Sequence, residues 1–317
     1  MPDIPLALLN HSLILDSLIF SKIFIYASIL LIGFIGKKLD IFKREHTKFL
    51  NNIICYITLP SAIINGFQGV TLTPVLFIGL LVGLVTNVTL MILGQFISKN
   101  KSNNERAIFI FSSSCFNVGN FAIPFLSGLV SADGFAAICI FDISVALMCF
   151  GVNPAIGNSI MGNEGKIKVK NVVKKICTSP VFITYVVLIL LALLEIKLPS
   201  LVLDLTTTMG NANSFLAMLC IGILFEFKLK KEHWKIVFKV LGLRVIVCSI
   251  IAMLVYFLLP IPSDIKVALC VLLMAPCAGA APALTESSGA DGSVAAVINS
   301  ISIPLSMALM TLLLTIL

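Results

Sequence analysis

Two backbone-breaking stretches, 158 positions apart, carry the first chemical signal in this chain of 317 residues. One is Asn117-Val118-Gly119-Asn120-Phe121-Ala122-Ile123-Pro124. The other is Ala275-Pro276-Cys277-Ala278-Gly279-Ala280-Ala281-Pro282. Each interrupts a long apolar run near its middle. Proline removes a backbone donor and clashes with the preceding turn, and glycine permits the unwinding. An unwound segment exposes half-helix N-termini, whose free N–H groups and partial positive charge suit a carboxylate. It also exposes carbonyls that suit a cation or a ligand hydroxyl. Asn117 and Asn120 add amide donors and acceptors to the first break. The substrate-binding candidates are therefore Asn117, Gly119, Asn120, Pro124, Pro276, Gly279 and Pro282.

Three ionisable residues stand in or beside the apolar runs and are candidates for a coupling or charge role. Asp142 suits a proton or cation path, since an intramembrane carboxylate is a functional hypothesis by default. Arg244 suits a structural ion pair, a snorkelling position, or bidentate contact with a substrate carboxylate. Glu286 suits either coupling or the aqueous interface. Ser112, Ser113, Ser114, Asn65, Gln68, Asn211, Asn213 and Asn299 read chiefly as interhelical hydrogen-bonding groups. Gly79 and Gly83, four apart, suit close helix packing first and a dimer contact second. His11, His46 and His233 lie outside the apolar cores. The nine cysteines show no CxxC spacing, so they read as small apolar residues rather than metal ligands. No metal site, catalytic centre or cofactor is expected. No Walker-type phosphate loop is present, which leaves a proton, sodium or the membrane potential to drive any transport.

The elements that position these residues follow from composition. Apolar residues make up 59% of the chain and charged residues 12%, about half the charged share of soluble domains. Mean hydropathy is +1.09. This excludes a cytosolic enzyme or a disordered chain and implies one compact integral membrane domain over residues 1–317. Asp3 and Asp16, with no basic stretch before them, argue against a signal peptide. Continuous apolar runs predict helices over residues 18–35, 49–67, 75–97, 107–130, 135–152, 181–194, 201–225, 236–259, 265–287 and 294–317. At about 20 residues per span, ten crossings fit with short loops. The basic balance marks topology, not nucleic acid: eighteen of the 22 basic residues fall in four alternate loops. Those loops include Lys43 and Arg44, Lys101 and Arg106, Lys166 to Lys175, and Lys228 to Lys239. The positive-inside rule makes that face cytoplasmic and puts both termini outside.

An ungapped offset of 158 aligns residues 122–147 with 280–305, with identities at 11 of 26 positions. They include Pro124/Pro282 and the triplet Ala132-Asp133-Gly134 with Ala290-Asp291-Gly292. The expected fold is all-α, with ten transmembrane helices as a 5+5 inverted repeat and the fourth and ninth broken and crossing. Repeat 1 covers about 17–152, a cytoplasmic loop about 153–176, and repeat 2 about 177–317. Matched broken helices in an inverted repeat are the architecture of secondary transporters.

At these motifs the chain resembles the auxin efflux carrier family, within the superfamily that includes the sodium–bile-acid symporters. The stretch from Asn117 to Pro124 is similar to that family's Asn-x-Gly-x-x-Gly-x-Pro segment, with Ala122 in place of the second glycine. Asn52, Tyr56, Leu59 and Pro60 resemble its Asn-x-x-x-Tyr-x-x-Leu-Pro stretch, and the segment from Met274 to Asp291 resembles its C-terminal part. The resemblance implies a scaffold part and a transport part that move in an elevator-like cycle. It also implies a small organic anion such as malate or malonate as substrate, and a prokaryotic-type permease of the inner or plasma membrane. The lipid bilayer and that anion are the expected partners, with a homodimer as a further candidate. A ten-helix drug or metabolite exporter is the nearest rival. An intramembrane enzyme, a channel and a receptor are weaker ones, because the in-membrane acids are scattered and matched breaks favour alternating access.

Overall fold

The computed structural model describes residues 6–68, 70, 73–162 and 169–317. Asp3, Lys166 and Lys168, named above, lie outside the described residues, as do the side chains of His11 and Asp16.

The described residues are helical nearly throughout. The helices are α1 (Leu6–Lys38), α2 (His46–Gly66) and α3 (Pro74–Ser98). The first broken helix follows as α4 (Asn103–Ser113), a π turn over Val118–Ala122, and α5 (Ile123–Leu126). Next come α6 (Ala132–Ile160), α7 (Val169–Cys177), α8 (Pro180–Leu193), α9 (Ser200–Leu224) and α10 (Trp234–Leu258). The second broken helix is α11 (Ser263–Leu272) followed by α12 (Ala281–Ser287), and α13 (Gly292–Ile316) closes the chain.

Seven of these helices are long and apolar enough to cross a membrane, or eight if α7 and α8, bent by 66° at their junction, form one span. The difference from the ten predicted runs has a local cause. The fourth and ninth runs are cut by their breaks into pieces too short to cross singly, and α8 has only 14 residues. Outside the breaks, the helix limits fall within a few residues of the hydropathy runs, except at α1 and α6. α1 begins twelve residues earlier than the predicted start at residue 18. α6 continues through a π turn at Met148–Val152 and past Asn153-Pro154, since proline fits the first turn after a disturbed helix. The basic stretch before α8 contains an unpredicted amphipathic helix, α7. Its Lys170, Lys174 and Lys175 stand apart from Ile176, which is buried.

Packing divides the helices into two groups. α1, α2, α8 and α9 lie mainly against one another, and α3 to α6 pack together with α10 to α13 as the second group. Within each group the closest approaches use glycine, because a missing Cβ lets two backbones meet. A Cβ on Gly222 of α9 would strike the Leu30 carbonyl of α1, and one on Gly79 of α3 would strike the Ala137 carbonyl of α6. The Gly79/Gly83 pair therefore serves packing inside the chain. The turn at Asp291 lies beside Asn104, whose Oδ1 accepts from Asp291 N–H at 2.7 Å. The turn before α6 lies beside Asp264, whose Oδ2 accepts from Ser131 Oγ at 2.6 Å.

Candidate functional site

The two breaks meet. α4 stops at Ser113 and Ser114 is extended, with φ −91° and ψ 158°. Cys115 takes φ +77°, a left-handed conformation that costs an L-residue about 1–2 kcal/mol. Phe116 then runs antiparallel to Cys277, and Asn117 N–H donates to Pro276 O at 2.9 Å. Buried side chains satisfy backbone groups that neither helix can. Asn87 Oδ1 accepts from Cys115 N–H at 2.8 Å, and Ser302 Oγ accepts from Cys277 N–H at 3.1 Å. Asn299 Nδ2 donates to Cys277 O at 2.8 Å. These partners hold Cys115 in its strained geometry and meet the rule that irregular backbone at membrane depth must be satisfied by protein.

The crossing has two unlike faces. One gathers carbonyls from the C-terminal ends of α4 and α11. Arg244 of α10 lies there, 5% exposed. Its Nη1 donates to Ser113 O at 2.6 Å and Cys115 O at 2.9 Å, and its Nη2 donates to Ala275 O at 3.0 Å. The guanidinium carbon stands 4.4 Å from the Phe116 ring centroid. No carboxylate is among its partners in the described residues. A cavity beside it measures about 20 Å³, room for little more than one water.

The other face opens on a cavity of about 220 Å³. Residues Asn117 to Asn120 and Ala278 to Ala280, the starts of the second half-helices, form its floor. Its walls come from both packing groups: Asp142, Cys149 and Phe150 of α6, Cys55 and Leu59 of α2, Ile176 of α7 and Tyr185 of α8. Asn120 Nδ2 donates to Asn51 Oδ1 of α2 at 3.4 Å, and Tyr185 Oη donates to Asp142 Oδ2 at 3.0 Å. Gly279 is exposed to the cavity, and a Cβ there would come within 3.4 Å of the Asn117 amide. Three π turns surround the space, at Ile54–Thr58, Val118–Ala122 and Met148–Val152. Each contributes a wall residue, in keeping with the habit of π turns to sit at functional sites.

The structure thus brings together Asn117, Gly119, Asn120, Gly279 and Asp142. Pro124, Pro276 and Pro282 frame the breaks without lining the cavity. Pro124 O accepts from Tyr26 Oη of α1 at 2.7 Å. Glu286 is exposed, with its side chain against Gly292 and away from the cavity. Arg244 touches both breaks but not the cavity. Sequence reasoning passed over Tyr185 and Tyr26. A tyrosine in an apolar helix has a hydroxyl that needs a partner, and that signal would have drawn attention to both.

The chain matches the family model described as membrane transport protein over residues 18–316. It is 27% identical over 207 residues to an uncharacterized transporter of Methanocaldococcus jannaschii, a match that takes in 62% of this chain and 65% of the relative's own length. The family match covers almost the whole chain, including both breaks and every wall of the cavity, and the chain therefore belongs to the membrane transport proteins of the auxin efflux carrier family, as a multi-pass membrane protein.

Proposed function

We propose that this protein is a secondary transporter that carries a small organic anion, of the malate or malonate class, across the inner or plasma membrane. The observation that carries the reading is the 220 Å³ cavity, floored by the starts of two half-helices and by the Asn117 and Asn120 amides. Helix N-terminal ends and amide donors match a carboxylate. The cavity also lies on the boundary between the two packing groups. That is where an elevator-like cycle needs its cargo, with α1, α2, α8 and α9 as scaffold and the remainder as the moving part. The spans then number ten: the two broken helices each complete one crossing through their paired halves, and α8 adds another. The turns at Asp133 and Asp291, placed against Asp264 and Asn104 at opposite ends of the broken helices, support an inverted 5+5 repeat.

Asp142 gives this reading a specific form. It is the one carboxylate on the cavity wall among the described residues, and an anion bound beside it meets like charge unless a proton is taken up. We propose that the anion moves together with a proton held at Asp142. A second reading follows from the same residue: with Asp142 ionised, the cavity suits a neutral or cationic metabolite, as in small-molecule exporters.

Uptake of labelled malate and malonate into proteoliposomes, under imposed potential, proton and sodium gradients in turn, separates these. Saturable, protein-dependent uptake driven by an inward proton gradient supports the anion reading. Absence of uptake of both acids from folded protein, with competition by cationic or neutral metabolites in a binding assay, supports the second. The potential alone favours outward movement of a monovalent anion by about 2.3 kcal/mol per 100 mV, inside negative.

A further inference from the structure

The carbonyl face of the crossing resembles an ion site whose ion is covalently attached. Unwound carbonyls from two broken helices converge there, which is the arrangement that coordinates a mobile cation. Their negative ends add the partial charge of two helix C-termini. What fills the position is the Arg244 guanidinium, with three carbonyl partners drawn from both breaks and the Phe116 ring as a fourth side. A buried charge persists only when hydrogen-bonded or paired, and here the partners are backbone groups that themselves need donors. Each requirement meets the other.

We propose that Arg244 is a resident cation of the crossing: it takes the carbonyls that a metal cation would otherwise take, so the crossing keeps its shape without sodium. Arg244 is a positioning residue on this account. It lies outside the cavity and fixes the geometry of Phe116, Asn117 and Pro276 on the far side of the same backbone. The consequence for coupling, uptake indifferent to sodium, rests on the transport reading given above. The structural claim does not.

The test is therefore made on stability, with no substrate present. Thermal unfolding of the purified wild-type protein in detergent is compared in sodium, potassium and choline chloride at equal ionic strength. The same midpoint in all three is expected, and a sodium-specific rise overturns the proposal. Arg244→Ala should lower the midpoint by roughly 5 °C or more. Low millimolar guanidinium should restore most of that loss in the variant while leaving the wild type unchanged, and choline at the same concentration should not. Arg244→Lys, which keeps the charge but not the fork, should fall between the two. An unchanged midpoint in Arg244→Ala, or a lowered one equally indifferent to guanidinium and choline, overturns the proposal. If Arg244→Ala does not fold, the wild-type salt series and Arg244→Lys still decide. A protein that passes these tests yet carries no organic acid would refute the organic-anion reading alone.

Discussion

The two faces of the helix crossing are built from the same two unwound segments and do opposite things. On the carbonyl face every available partner is a fixed protein group: Arg244, Asn87, Ser302 and Asn299 hold the backbone, and about 20 Å³ is left over. On the other face the backbone begins two half-helices, and about 220 Å³ is left open. The polar links across that opening join side chains rather than backbone, as in Asn120 to Asn51 and Tyr185 to Asp142. Rigidity is concentrated where nothing needs to enter, so the open face can be shaped without supporting itself. The lesson is that satisfying unwound backbone and binding a ligand are separable tasks, assigned here to opposite sides of one short antiparallel contact.

The sharpest way to break this contrast is Asn117→Ala. It removes an amide from the open face while the backbone bond from Asn117 to Pro276 remains, so uptake should fall by about tenfold or more with an unchanged unfolding midpoint. Uptake at wild-type rate in this variant would remove Asn117 from the site. Next in size is Asp142→Asn. Wild-type uptake should rise as pH falls, because the carboxyl must carry a proton beside the anion. The asparagine variant imitates the protonated form and should show a flat profile, measured as initial rate across acidic to neutral pH. A variant whose profile still rises towards acid would return Asp142 to a structural role.

Asn87→Ala probes the carbonyl face. It leaves the buried Cys115 N–H without its acceptor, at a cost of about 1–3 kcal/mol. A drop of several degrees in the unfolding midpoint is expected, with substrate affinity retained in whatever fraction stays folded. The smallest effect lies away from the crossing altogether, at the start of α13. Asp291 accepts from Ser293 N–H at 2.9 Å, and hydrogen bonding to Ser293 holds its carboxyl below the ordinary carboxylate range. Its stabilising contribution is therefore full above the ordinary carboxylate value and is lost as pH falls through the lowered native value. Asp291→Asn should flatten that acid limb slightly, and the group's exposure keeps the change small. A shift there as large as that of Asn87→Ala would erase the distinction drawn between the crossing and the rest of the helix.

How much of this was legible beforehand depends on what kind of atom does the work. The open face was legible because glycine, proline and asparagine announce it by type: Asn117, Gly119, Asn120 and Gly279 stand in two stretches that no regular helix would choose. Asp142 was legible for the same reason, as a carboxylate in an apolar run. The role of Arg244 was not, because its partners are the carbonyls of Ser113, Cys115 and Ala275, and any residue could have supplied those. A search for its partner among acidic side chains looks in the wrong place. α7 escaped because its lysines dominate a short basic segment and conceal the apolar side that carries Ile176. The boundary between packing groups depends on which helix faces meet, and hydropathy runs do not encode that when every face is apolar.

The three π turns around the cavity have a consequence for how such a protein changes over generations. A π turn is a helix holding one surplus residue, absorbed within a single turn while the flanking turns stay in place. Elsewhere in a packed helix, inserting or deleting one residue rotates everything beyond it by about 100° and turns its lipid-facing side chains inward. At Ile54–Thr58, Val118–Ala122 and Met148–Val152 the chain already tolerates the odd residue. The walls of the cavity are thus the places where chain length itself can vary by one, altering the outline of the space while the helices around it keep their neighbours.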